Sequence, residues 1–315
     1  MLSTAVPLPT TLMGLDFSCA PSQRKPLTLA VGHRAASVVR LDRLDTFQTL
    51  DAWVQVLRAP GEGFVMGCDF PFGLPRGFVD ALGQEGPGTL PQALAEPLGD
   101  GMPSQASRLI RALHQHCGDR AGFQRLVDGW GQTWHTEGPG APVAGRKLLH
   151  RRTDGAMPGV SSTSPLQTRY VPVGKMYFEG LARLVQAGIT LPALHPGRPE
   201  AVALEAYPGL LAHEVLGRRS YKTDAKADTA AQQARLIARM DLVDALEQGR
   251  TRLGLRLKLS PAQRDHLVAD PMGDRLDAVL CLLQAAWAHQ QAEAGAPCWG
   301  LPAEVDPVEG WILTA

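Results

Sequence analysis

Three apolar runs in this chain end alike, and that repetition narrows the folds open to it. Met13-Gly14-Leu15-Asp16-Phe17-Ser18, Phe64 to Asp69 and Ala201 to Tyr207 each read as a strand with an acid at or near its carboxyl end. Gly14-x-Asp16, Gly67-x-Asp69 and Ala203-x-Glu205 set a tiny residue two positions before the acid, and the two-residue period of a strand puts both on one face. A buried carboxylate is costly unless it is paired, hydrogen-bonded or bound to a metal. Taken alone, Asp16 reads as a cap of the next turn; three acids of one design point to a shared site. The missing side chain at Gly14 suggests a cleft floor before Asp16. With the three strands as parallel neighbours, the acids converge at the carboxyl edge, where open α/β sheets bind ligands.

Leu27 to Val31 and Ser37 to Leu41 read as a further pair of strands, close enough in sequence to be antiparallel neighbours. Thr46 caps an expected helix running to Leu57, so a crossover precedes the strand at Phe64 and the sheet is mixed. The expectation is an α/β fold with a five-stranded central sheet flanked by helices, one domain over residues 1–315. Residues 70–200, with Gly/Pro-rich stretches at 83–101 and 138–145, read as a mostly helical, loop-rich insertion after the fourth strand. Ser260-Pro261 and Asp270-Pro271 are two helix starts, the second opening a last helix to about Gln290. The tail from Pro297, with Trp299 and Trp311, is expected to pack back onto the domain.

That last helix adds Asp270-Pro-Met-Gly-Asp274-Arg-Leu-Asp277. Asp270 is explained as its N-cap, and Asp274 complements the helix dipole. Asp277 lies beside an apolar stripe and has no such explanation. The i,i+3 spacing makes Asp274 and Asp277 neighbours, and two like charges that close need a cation or a proton. Magnesium and manganese prefer carboxylate and water oxygen, and two such ions about 4 Å apart stabilise both oxygens of a phosphoryl displacement. No histidine or cysteine cluster, nucleotide-cradling glycine loop or serine-nucleophile motif competes with that reading.

The combination Gly-Leu-Asp-Phe-Ser, Cys-Asp-Phe-Pro-Phe-Gly-Leu-Pro, Glu-Ala-Tyr-Pro, Tyr-Lys and Gly-Asp-Arg-Leu-Asp-Ala, closing on Glu-Gly-Trp-Ile, resembles the family catalogued as domain of unknown function 429. The resemblance spans most of the chain outside its middle block. It implies a ribonuclease H-like fold and a metal-dependent nuclease, with Asp16, Asp69 and Asp277 as ligands of two divalent ions. Asp274 stands alongside, as in the resolvase branch, and Glu205 falls in the Glu-x-Tyr-Pro motif. A water attacks phosphorus, and Asp274 or Glu205 ligates or orients it.

The basic run Arg146 to Arg152 is either a solvated surface or a phosphate-tracking patch, in which Arg151 and Arg152 contact substrate; Lys222 is either a loop lysine or a phosphate contact. Lys+Arg and Asp+Glu both total 31, so nucleic acid must be gripped by a local patch rather than by net charge. A small-molecule phosphohydrolase is the enzyme alternative, and a non-catalytic binding or scaffold protein is the other. Five dispersed cysteines, no leader-like N-terminus and no membrane-length apolar run fit a cytoplasmic protein without a membrane partner.

Overall fold

The computed structural model describes residues 8, 10–59, 61, 63–84, 104–136, 148–160, 162–223 and 228–315. The strand carrying Asp16, β1 (Thr11–Asp16), is the middle strand of the sheet. It pairs antiparallel with β2 (Leu27–Ala35), which pairs antiparallel with β3 (Val38–Phe47). On its other side β1 pairs parallel with β4 (Phe64–Asp69), and β6 (Arg198–Glu205) lies parallel beyond β4. The three acid-ended strands are therefore parallel neighbours, the condition under which their acids reach one sheet edge.

The sheet has seven strands rather than five. Two short edge strands, β5 (Ile189–Thr190) and β7 (Arg256–Lys258), extend it to the order β5-β6-β4-β1-β2-β3-β7. β3 also continues past Leu41 to Phe47, so Thr46 is a strand residue opposite Thr28. The helix that follows, α1 (Leu50–Arg58), is capped by Thr49, whose side chain accepts from the Ala52 N–H.

Each face of the sheet has its own core. Met13, Leu15, Met66 and Cys68 face α1, α2 (Arg76–Gln84), α3 (Gln105–Cys117), α4 (Arg120–Thr136) and α5 (Val173–Gln186), through Trp53, Phe78, Leu109, Phe123, Tyr177 and Phe178. The helices within residues 70–200 thus form the cover of one sheet face. The Gly/Pro-rich stretch at 138–145 and most of that at 83–101 lie outside the described residues, as do Arg146 and Lys147.

The other face buries Leu12, Val65, Val202 and Leu204 under α6 (Pro208–Leu216), α7 (Thr229–Glu247) and α9 (Asp274–Glu293). Between the last two, α8 (Pro261–Val268) starts at the predicted Ser260-Pro261, with Gln263 completing a capping box. The helix α9 is buried nearly all round from Leu276 to Ala286, which marks a central helix rather than a surface one with a single stripe. The tail packs back as expected: Ile312 and Leu313 are buried, and the Leu313 N–H donates to the Glu205 carbonyl.

Candidate metal centre

Asp16 and Asp69 are register partners across β1 and β4, as are Gly14 and Gly67 behind them. Partners in a parallel pair point to the same face, so both carboxylates leave the sheet on the α9 side. The glycines do not floor a cleft, as Gly14 suggested from sequence; the backbone of α9 fills their space. A Cβ at Gly14 would lie 2.1 Å from both the Ala278 carbonyl oxygen and the Leu282 nitrogen, and one at Gly67 2.5 Å from the Cys281 carbonyl oxygen. Bare backbone on two adjacent strands lets the helix settle directly on the sheet, and that contact delivers Asp277. Oxygen atoms of Asp16, Asp69 and Asp277 lie within 4.8 Å of one another.

α9 begins later than Asp270-Pro271 suggests. Its N-cap is Gly273 at φ +77°, and Asp270 acts from outside, accepting from the Met272 and Arg275 N–H groups at 3.1 Å. Asp274 and Asp277 consequently both sit in the first turn. Gly273 serves a second purpose, since a Cβ there would come within 2.9 Å of the Lys222 side chain and 3.3 Å of the Tyr221 ring. The Tyr221 hydroxyl donates to Asp277 Oδ1 at 2.5 Å, and Lys222 Nζ pairs with Oδ2. Arg239 holds this segment by donating to the Tyr221 carbonyl at 2.8 Å and the Val268 carbonyl at 2.7 Å. Lys222 thus meets the acids first, and Tyr221, present in the sequence only as half of the Tyr-Lys motif with no role of its own, is a hydrogen-bond partner of Asp277.

Glu205 does not join the aspartates. Its register partner is Cys68, not Asp69, so its side chain leaves the opposite face of the sheet. There Arg151 meets it with two arms, Nη2 to Oε1 at 2.6 Å and Nη1 to Oε2 at 2.8 Å, while the Phe72 N–H donates to Oε2 at 2.9 Å. Arg151 also donates to Asp154 Oδ1 at 2.8 Å and is 3 % exposed, so it is a buried ion-pair partner that also lines the cavity beside the aspartates. Arg152 is exposed and is held through its backbone N–H, which donates to Glu309 Oε2 at 2.9 Å. Among the described residues of the run, Arg151 and Arg152 therefore do not share one exposed face.

The carboxyl edge opens into a cavity of about 400 Å³, lined by Asp16, Asp69, Asp274, Glu205, Lys25 and Lys222 together with an apolar segment around Tyr170. Lys25 lies in a polar turn with no periodic pattern to single it out. Burial raises the Asp16 carboxyl well above its ordinary range, and the Asp274 and Asp69 charges add to this. Burial likewise lifts Asp69 to about 6; Lys222 opposes the shift, whereas Glu205 and Asp274 reinforce it. Carboxylates held this close together and largely out of solvent are the setting a hard divalent cation relieves.

A pH dependence follows from these shifts. Below the ordinary carboxylate value Asp69 is protonated folded or unfolded; between about pH 4 and 6 only the folded chain keeps the proton, so stability falls as pH rises. In chelator, the melting temperature is expected to drop across that window, and ionisation of the likewise raised Asp16 adds to the drop. With 5 mM magnesium or manganese, as an order of magnitude for saturating ion, the drop should shrink or reverse. Parallel melting curves at matched pH with and without metal would exclude a cation site at these aspartates.

Comparison with protein-family models, with curated proteins and with solved structures returns no match to this chain. No helix among the described residues is long and apolar enough to cross a membrane.

Proposed function

We propose that the chain is a divalent-metal-dependent phosphodiester hydrolase built on a ribonuclease H-like sheet. The observation that carries this is the meeting of Asp16, Asp69 and Asp277, from two strand ends and a helix, within 4.8 Å. The order β6-β4-β1-β2-β3 of the longer strands, antiparallel on one side of β1 and parallel on the other, supports the fold assignment.

Asp16, Asp69 and Asp277 would hold magnesium or manganese, in the two-ion form expected of such sites. Bound there, the metal supplies charge to the phosphoryl oxygens and a water acidic enough to attack phosphorus at neutral pH. The chain's own residues do the rest. Tyr221 fixes the rotamer of Asp277 through its hydroxyl. Asp274, at the first turn of α9 and at the cavity wall, is placed to orient the water or take its proton. Lys25 and Lys222 supply positive charge at the cavity for the substrate phosphate, Lys222 exchanging its carboxylate partner for it. Glu205, neutralised by Arg151, positions the loop at Phe72 and takes no part in ligation.

A small phosphoester is the second reading, and a specific observation favours it: the cavity is about 400 Å³, and the net charge of the chain is zero. Incubation with manganese and single-stranded, duplex and small phosphodiester substrates tests both readings. Cleavage is expected to depend on metal and to fall by about 10²- to 10³-fold in Asp16→Asn, the range for losing a group that stabilises transition-state charge. Undiminished cleavage by that variant removes Asp16 from the site. Failure of any metal to shift the melting curve or promote cleavage leaves a non-catalytic protein.

A further inference from the structure

The cavity has two unlike walls. Opposite in character to the carboxylates and lysines is one continuous segment, Tyr170-Val171-Pro172-Val173, with Met176 one turn into α5. Tyr170 is 98 % exposed and Val171 56 %, so neither contributes to the core. Tyr170 also has φ +62°, a left-handed conformation that a bulky side chain rarely adopts. An exposed aromatic in a strained backbone gains nothing from folding, and such residues cluster at ligand sites.

The segment is fixed on both sides. Arg169 makes a two-armed pair with Asp128, both contacts at 2.6 Å. After it, the Val173 N–H donates to the Val171 carbonyl and the Gly174 N–H to the Gln167 carbonyl, both at 2.9 Å. The ring is therefore presented at the cavity mouth by an ordered turn. A ligand that suits both walls has an anionic phosphoryl group for the metal and lysines, and a flat ring with an apolar face for tyrosine. The volume is of the size that holds one small ligand.

We propose that Tyr170 is a stacking platform for one unpaired base of a nucleotide phosphoester whose phosphate lies at Asp16, Asp69 and Lys222. This rests on the phosphodiesterase reading and adds to it the class of substrate. Stacking on tyrosine tolerates any base, since every base has a π-face. A base inside a duplex has both faces covered and must first be unstacked, so duplex nucleic acid is disfavoured. The base comes either from a free nucleotide or from a single strand.

The test is calorimetric titration of the full chain, in magnesium, with adenosine 5′-monophosphate and with ribose 5-phosphate. Wild type is expected to bind the nucleotide more tightly. Tyr170→Ala should weaken nucleotide binding by roughly 5- to 150-fold, the range for one base–aromatic stack, and leave ribose 5-phosphate unchanged. Tyr170→Phe should retain nucleotide binding. Tyr170→Gly, which relaxes the backbone, should lose it while melting no lower than wild type. Equal binding of the two ligands, an equal loss of both in Tyr170→Ala, or binding of neither overturns the proposal. Competition with an unpaired oligonucleotide and with its duplex assigns the source: the single strand outcompeting the mononucleotide points to a strand end, the reverse to a free nucleotide. A duplex competing as well as the single strand overturns the proposal. The phosphodiesterase reading fails separately, through loss of the metal-induced melting shift, which does not involve Tyr170.

Discussion

Gly14→Val is expected to cost about 4 kcal/mol or more of stability, at the extreme of single-residue effects. Ordinary overpacking is relieved when a neighbouring side chain changes rotamer. Here the first atoms met are the Ala278 oxygen and the Leu282 nitrogen, both 2.1 Å away and both belonging to the backbone of a buried helix. Only a displacement of α9 as a whole makes room, and it strips contacts from Leu276 to Ala286 while drawing Asp277 away from Asp16 and Asp69. Urea denaturation should therefore show a large loss, and whatever folded protein remains should lose its metal-induced melting shift. Gly155→Ala, where an added methyl meets nothing within 4 Å, is the control and should stay within about 1 kcal/mol of wild type. A similar small loss at Gly14 would mean that α9 does not rest on bare strand backbone.

The glycines show what sequence can and cannot supply. Gly14 and Gly67 are legible as unusual because they interrupt apolar runs, and their spacing to Asp16 and Asp69 marks two acids that the register sets side by side. Their purpose was not legible, since an empty position and one filled by a distant helix look the same in one dimension. The parallel adjacency of β1, β4 and β6 was readable because strands buried on both faces are short, nearly continuous apolar runs. The side taken by Glu205 was not, although its motif matches the other two. Alternation fixes faces within a strand, but only the register between strands says which faces coincide, and a shift of one residue inverts them. Cys68 opposite Glu205 is that shift.

Local signals fared according to their length. Ser260-Pro261 located α8 because its cap is made by the residues that announce it. Asp270-Pro271 announced α9 too early because a left-handed Gly273 delays the first turn, leaving Asp270 to cap from a distance. With two and three residues, β5 and β7 are too short to show any period. Arg151 was read as one charge among several in a run, because its partner Glu205 lies 54 positions further along the chain.

That partnership supports the second large effect. Arg151→Met is expected to cost about 3–5 kcal/mol, the range for breaking a buried pair by removing one partner. Glu205, 4 % exposed, would keep the Phe72 N–H but lose both arms of the guanidinium. Burial already pushes its carboxyl above the ordinary value against the pull of Arg151, so without Arg151 it rises further. A raised folded pKa makes the penalty small where both states are protonated, and the penalty grows as pH rises through that value. The deficit of Arg151→Met should therefore be larger at pH 8 than at pH 5, and Arg151→Met/Glu205→Gln should recover part of it. Metal binding supplies an independent readout. At a pH where Glu205 is ionised its charge, which raises the Asp69 pKa, would no longer be countered by Arg151, so Asp69 should hold its proton to higher pH and metal binding should weaken, since a ligating carboxylate must be ionised. The double variant, with no charge at 205, should restore the affinity. A deficit independent of pH, with metal affinity equal in the single and double variants, would mean that the two faces of the sheet are electrically separate. The expected result makes Arg151 the residue that cancels one carboxylate so that the negative charge at the sheet edge belongs to the aspartates.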